Sequence, residues 1–280
     1  MYIPPYSPKR TTPAYERISL VVSLTLIGLA LYFVIDLPAR TFTLQLFGSP
    51  LTLNVSQRWL MAALLGGLAG SGAAAVVRLH PGARAHDLPY AMTFWILPGS
   101  VVILATLTLA LAATPLQWAI GLGLSGLLLW LIILAEYHTV DCEGRAYNLA
   151  RMWLSAVSYG LILAFFVLIY HTRARSALSA TGTFLIGGAI ALGLLRTTPE
   201  QIRRTWVYSA LIALGIGQLT WTLNYWRLNA AAAGLLLLLA FYLMTGLAGQ
   251  ELKQGLNRRA AFEFLAVALI GLFVVVNFAT

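Results

Sequence analysis

Charge is what this 280-residue chain has little of: Asp, Glu, Lys and Arg make up 10% of it, where a soluble domain carries about 25%. A water-soluble fold and an ordinary cytosolic enzyme are excluded on that ground. Cysteine is scarcer still. Cys142 stands alone, so an internal disulfide framework is excluded too. Lysine is nearly missing, since Lys9 and Lys253 are the two exceptions among eighteen basic residues. With the Ala and Leu richness this is the compositional mark of a GC-rich genome. The last absence is positional: no Asp, Glu, Lys, Arg or His falls in the central part of any apolar stretch. A charge there costs at least about 2.5–3.5 kcal/mol and is usually kept for function. Proton pumps, ion-coupled carriers and voltage sensors need such groups, so those classes are disfavoured. Bis-histidine haem ligation is disfavoured as well, because His80, His86, His138 and His171 all fall at span ends or in loops.

What is present is apolar. Residues of the apolar class make up 60% of the chain, and they cluster in runs of about 18 to 22 residues, the length that crosses a bilayer as a helix. These runs predict an all-α integral membrane protein, a bundle of about nine transmembrane helices. The predicted spans are 18–35, 59–77, 91–113, 116–135, 152–170, 177–195, 205–223, 230–249 and 264–279. Pro98 falls inside the third. The sixth is the weakest, because Ser179, Thr181, Gly182 and Thr183 dilute its first half. Residues 1–17 form a proline-rich polar lead, and 18–280 read as a single polytopic membrane domain. The first span is longer than a signal-peptide core and no small-x-small site follows it.

Residues 36–56 break the helical period. Phe42, Leu44 and Leu46 alternate with Thr43 and Gln45, and after Gly48-Ser49-Pro50 the residues Leu51, Leu53 and Val55 alternate with Thr52 and Asn54. Alternation on both sides of a turn predicts a short extracytoplasmic β-hairpin between the first two spans. A lone hairpin is marginal in water. Its apolar face of Phe42, Leu44, Leu46, Leu51, Leu53 and Val55 is therefore expected to dock on a protein partner.

The net charge of +9 would suggest nucleic acid in a soluble protein. Here the basic residues sit between apolar spans and the partner is the bilayer. With the N-terminus cytoplasmic and nine crossings, the outer segments hold Arg40, Arg58, Arg173, Arg175 and Arg227, and the inner ones the remaining thirteen. This asymmetry predicts a cytoplasmic N-terminus and an extracytoplasmic C-terminus. Trp59, Trp118, Trp153, Trp206 and Trp226 fall at span ends, where the amphipathic indole is favoured.

Two groups of residues are candidates for a site. On the seventh span Gln218, Trp221, Thr222 and Tyr225 share a helical face near the outer end, suited to a lipid headgroup, a sugar or a polyisoprenoid end group. The competing explanation is interhelical hydrogen bonding with an aromatic belt. On the inner side His80 and His86 of one loop, with Glu136, His138 and Asp141 of another, have the residue types for general acid–base work or a metal. Their spacing matches no metal or nucleophile motif, so no catalytic residue, metal or cofactor is assigned. Small residues four apart (Gly66 and Gly70, Gly121 and Ser125, Ala189 and Gly193) mark close helix packing.

Leu134-Ala135-Glu136-Tyr137 with Leu149-Ala150-Arg151, and Leu219-Thr220-Trp221 with Leu223-Asn224-Tyr225-Trp226, resemble an uncharacterised family of bacterial polytopic membrane proteins. The resemblance spans roughly the second half of the chain. It implies a bacterial plasma membrane and supplies no catalytic residues. Three functions stay open at this point. The leading one is a non-catalytic scaffold, assembly factor or accessory subunit of a membrane complex. The others are a carrier or flippase for a lipid-like substrate, and a membrane enzyme using the inner His/carboxylate loops.

Overall fold

The computed structural model describes residues 15–34, 40–46, 49–55, 57–79, 90, 92–140, 147–172, 176–196, 201–226, 228–253 and 258–279. The helices are α1 Tyr15–Val34, α2 Gln57–Val77, α3 Ile96–Leu109, α4 Pro115–His138, α5 Tyr147–His171, α6 Ser176–Leu195, α7 Ile202–Leu223, α8 Ala230–Lys253 and α9 Arg258–Ala279. A 3-10 turn, Met92–Trp95, leads into α3. Between α1 and α2 lie strands β1 Arg40–Leu46 and β2 Ser49–Val55, paired antiparallel with Phe42 opposite Leu53 and Leu44 opposite Leu51. The side chains of β1 and β2, which carry the six docking candidates, lie outside the described part.

Among the described residues eight helices are long and apolar enough to cross a membrane, which makes this a multi-pass membrane protein. Nine were expected, and the difference falls at the end of the chain. There α9 runs over 22 residues, Arg258–Ala279, of which the apolar stretch Phe262–Phe273 is described. The sixth predicted span, the weakest by composition, is among the eight. Its diluting polar groups find partners: the Thr181 hydroxyl donates to the Ala177 carbonyl at 2.7 Å, and Ser179 and Thr183 are buried against α7.

Local chemistry explains several boundaries. Thr114 caps α4 by accepting from the Gln117 amide at 3.2 Å, Gln117 Oε1 accepts from the Ala113 amide at 3.0 Å, and Pro115 opens the helix. Asn229 caps α8 through the Ala232 amide at 2.6 Å. Pro98 lies in the first turn of α3 rather than mid-span, where its missing N–H removes no bond that α3 would otherwise make.

Beside a small cluster of Ala74, Val77, Tyr90 and Phe94, the interior divides into two large apolar clusters. One joins α1, α2, α3 and α4 through Ile18, Leu29, Ala69, Val102, Leu129 and Ile133. The other joins α3 to α8 around Ile132, Ile162, Phe166, Ile190, Ile216 and Phe241. Glycine sets the closest approach. A Cβ on Gly66 would stand 3.1 Å from the Gly99 carbonyl oxygen, and one on Gly70 would stand 2.9 Å from that of Trp95, so α2 and the start of α3 meet backbone to backbone. At the edge of the bundle α9 packs on α8, with Gly246 under Phe264 and Gly271 against Leu239.

Candidate functional site

Four elements bring their polar ends to the same end of the bundle: the turn before α3, the C-terminus of α4, the N-terminus of α5 and the C-terminus of α6. Arg196, one residue past α6, is the centre of the cluster and only 8% exposed. Its guanidinium donates from Nη1 to Thr93 Oγ1 and from Nη2 to Thr139 Oγ1, each at 3.3 Å. Both hydroxyls pass the bond on to a backbone carbonyl, Thr93 to Tyr90 at 2.6 Å and Thr139 to Glu136 at 2.8 Å. The guanidinium carbon lies 3.8 Å from the centre of the Phe94 ring and 5.9 Å from that of Tyr90. Only arginine combines a flat cation that stacks on a ring with divergent in-plane donors.

Arg151, in the first turns of α5, braces the other side. Its Nη1 donates to the Arg196 carbonyl at 3.0 Å and to the Tyr147 hydroxyl at 3.3 Å. A cation is well placed there, because carbonyls near a helix C-terminus lack intrahelical donors and carry partial negative charge. Glu136, in the last turn of α4, is 1% exposed and under the field of Arg196.

These groups line a cavity of about 30 Å³ with Thr93, Glu136, Thr139, Arg151, Ser155, Ser158 and Arg196 on its polar side and Leu97, Leu154, Gly193 and Leu194 on its apolar side. Ser155 and Ser158 spend their protons on the carbonyls one turn back, at 2.8 and 2.7 Å, and leave their lone pairs to the cavity. Glu136 Oε2, Ser209 Oγ and Trp118 Nε1 are the buried polar atoms without a hydrogen-bond partner among the described residues. Of the three residues, Glu136 alone lines this cavity.

The other end of the bundle holds a different kind of polarity. Thr183 on α6 donates to Thr220 on α7 at 2.9 Å, and Asn224 Nδ2 donates to Ser179 Oγ at 2.7 Å. Tyr170 on α5 donates to the carbonyls of Leu223 at 2.9 Å and Trp226 at 3.2 Å, closing the end of α7.

The candidates from sequence are distributed as follows. Glu136 is in the cluster. His138 is half-buried and meets Tyr137 edge to face at 6.1 Å, outside the cavity lining. His80, His86 and Asp141 lie outside the described residues. Gln218, Trp221, Thr222 and Tyr225 are all exposed on the outer face of α7, while the neighbours Thr220 and Asn224 make the interhelical bonds. Arg151 and Arg196 were missed as site residues. Each sits flush against an apolar run, where an arginine that turns inward looks the same in sequence as one that snorkels to the headgroups. Among the described residues no three His, Cys, Asp or Glu stand close enough to hold a metal.

A family model described as a protein of unknown function, DUF5656, matches residues 37–278, and the chain belongs to that family. Neither a curated protein nor a solved structure matches the chain.

Proposed function

We propose that this member of the family is a non-catalytic multi-pass membrane component, an accessory or assembly subunit of a larger complex. The observation that carries this reading is how the interior charge is used. Arg196 and Arg151 spend donors on Thr93, Thr139, Tyr147 and a helix-terminal carbonyl, and so tie together four elements of the bundle. The space left among them, about 30 Å³, suits water rather than a substrate. The cluster is therefore a clamp on the bundle. The basic ends of the helices favour a cytoplasmic placement for it, in a bacterial plasma membrane.

The hairpin is the docking element of this proposal. Among the described residues its sheet has two strands, so each strand leaves one edge without a neighbouring strand. Such an edge accepts a strand from another chain. The register sets Phe42 with Leu53 and Leu44 with Leu51 in directly opposed pairs. Apolar side chains contribute about 1.5–3 kcal/mol each on full burial.

The test is purification of the tagged full-length chain in mild detergent. A partner should co-purify in fixed stoichiometry, and Leu44→Asp with Leu53→Asp should release it while the bundle's thermal unfolding stays unchanged. A chain that purifies alone, or a double variant that keeps its partner, removes the proposal.

A further inference from the structure

We propose that the cavity between α4, α5 and α6 is a built hydration site, in which water joins the Glu136 carboxyl to the arginine clamp. Geometry identifies the ligand class by elimination. Among the described residues the buried Glu136 Oε2 has no protein partner and its side chain lines the cavity, so the cavity itself is where one would come from. A cation would share a small space with the Arg151 and Arg196 guanidiniums, and an anion would share it with the carboxyl. A neutral organic molecule exceeds the volume.

Water meets every requirement. It donates to a carboxylate oxygen or accepts from a protonated one, and it accepts from guanidinium N–H groups that Arg196 and Arg151 have in surplus. The serine lone pairs of Ser155 and Ser158 supply further acceptors. A cavity needs roughly 10–15 Å³ and two to four polar partners to hold one water, and this one offers about 30 Å³. Its half-buried lining, Arg151, Ser155, Gly193 and Leu194, lies on α5 and α6, while Thr93, Leu97, Glu136, Thr139, Leu154, Ser158 and Arg196 are buried. Water therefore enters between α5 and α6, and Glu136 communicates with one aqueous face. Trp118 Nε1 and Ser209 Oγ, also without a partner among the described residues, do not line this cavity.

The test uses the full-length protein in liposomes, with carbon-13 in glutamate and serine, and follows magnetisation transferred from water by solid-state NMR. The Glu136 carboxyl signal is the one lost in Glu136→Gln or moved in Glu136→Asp. It should build up with the exposed Glu251 carboxyl and well ahead of the buried Ser209 Cβ. Ser158→Val, which adds bulk to the cavity wall, should slow the Glu136 build-up severalfold and leave Glu251 unchanged. A wild-type Glu136 signal that rises only with Ser209 means a dry cavity and overturns the proposal. Unchanged build-up in Ser158→Val overturns the assignment of the water to this cavity.

Discussion

The two polar ends of this bundle solve the same problem by different means. At one end a buried arginine is held by two hydroxyls, two rings and a second arginine drawn from separate elements. At the other, threonine, serine and asparagine form single bonds between α6 and α7. The difference is the cost of failure. Thr183 has the Ser179 carbonyl of its own helix in reach of its single proton at 3.1 Å, and Thr220 donates to Ile216 at 2.8 Å, so neither is left unsatisfied if the neighbour moves. Arg196 has no such fallback. A guanidinium stripped of its partners in a low-dielectric interior costs several kcal/mol, so the clamp must close completely or not at all.

The largest effect expected from that contrast is at Arg196. Arg196→Met takes the buried guanidinium from Thr93, Thr139 and the Phe94 ring, and should lower stability in detergent by about 1.5–3 kcal/mol, read by thermal or denaturant unfolding. Arg196→Met with Glu136→Leu should recover part of the loss, because it also removes a buried carboxyl oxygen that has no partner among the described residues. A double variant as unstable as the single would mean that Arg196 acts through Thr93 and Thr139 alone, and the two ends would differ only in degree.

A smaller loss belongs to the neutral end. Tyr170→Phe removes the donor to two carbonyls that close α7, and should cost about 0.5–1.5 kcal/mol by the same measurement. Its effect should add to that of Arg196→Met, since the two sites share no partner. Strong coupling between them would show that the ends are not independent.

Smallest is the threonine pair. Thr183→Val with Thr220→Val exchanges both partners for apolar groups of the same shape, and should change stability by about 0.6 kcal/mol or less. A loss comparable to that at Arg196 would erase the contrast between the ends.

Particular residues show what pattern reading reaches. Runs of apolar residues locate the eight described crossings because backbone polar groups in a bilayer must be satisfied within the helix, which ties span to length. Small residues four apart locate contacts: Gly66 and Gly70 both meet the start of α3. The α7 face is harder. Gln218, Trp221, Thr222 and Tyr225 share one side by period, yet that side is exposed, and Thr220 and Asn224 beside them make the interhelical bonds. Period gives the angle between residues on a helix and says nothing of which side meets a neighbour when both sides are apolar enough for lipid.

The sequence alone settles that the chain is a helical membrane protein with little interior charge, because the free energy of transfer into a bilayer depends on composition and length. Which charge turns inward was decided by tertiary structure. Arg196 and Arg204 both border apolar helices, and one is buried while the other is exposed. The difference is the ring of Phe94, the hydroxyls of Thr93 and Thr139, and Arg151 on its carbonyl, contributed by segments as far as 103 residues away along the chain. A buried cation is stable only where several elements converge to desolvate it and bond it together. Convergence of that kind is a property of packing and leaves no local trace in the sequence.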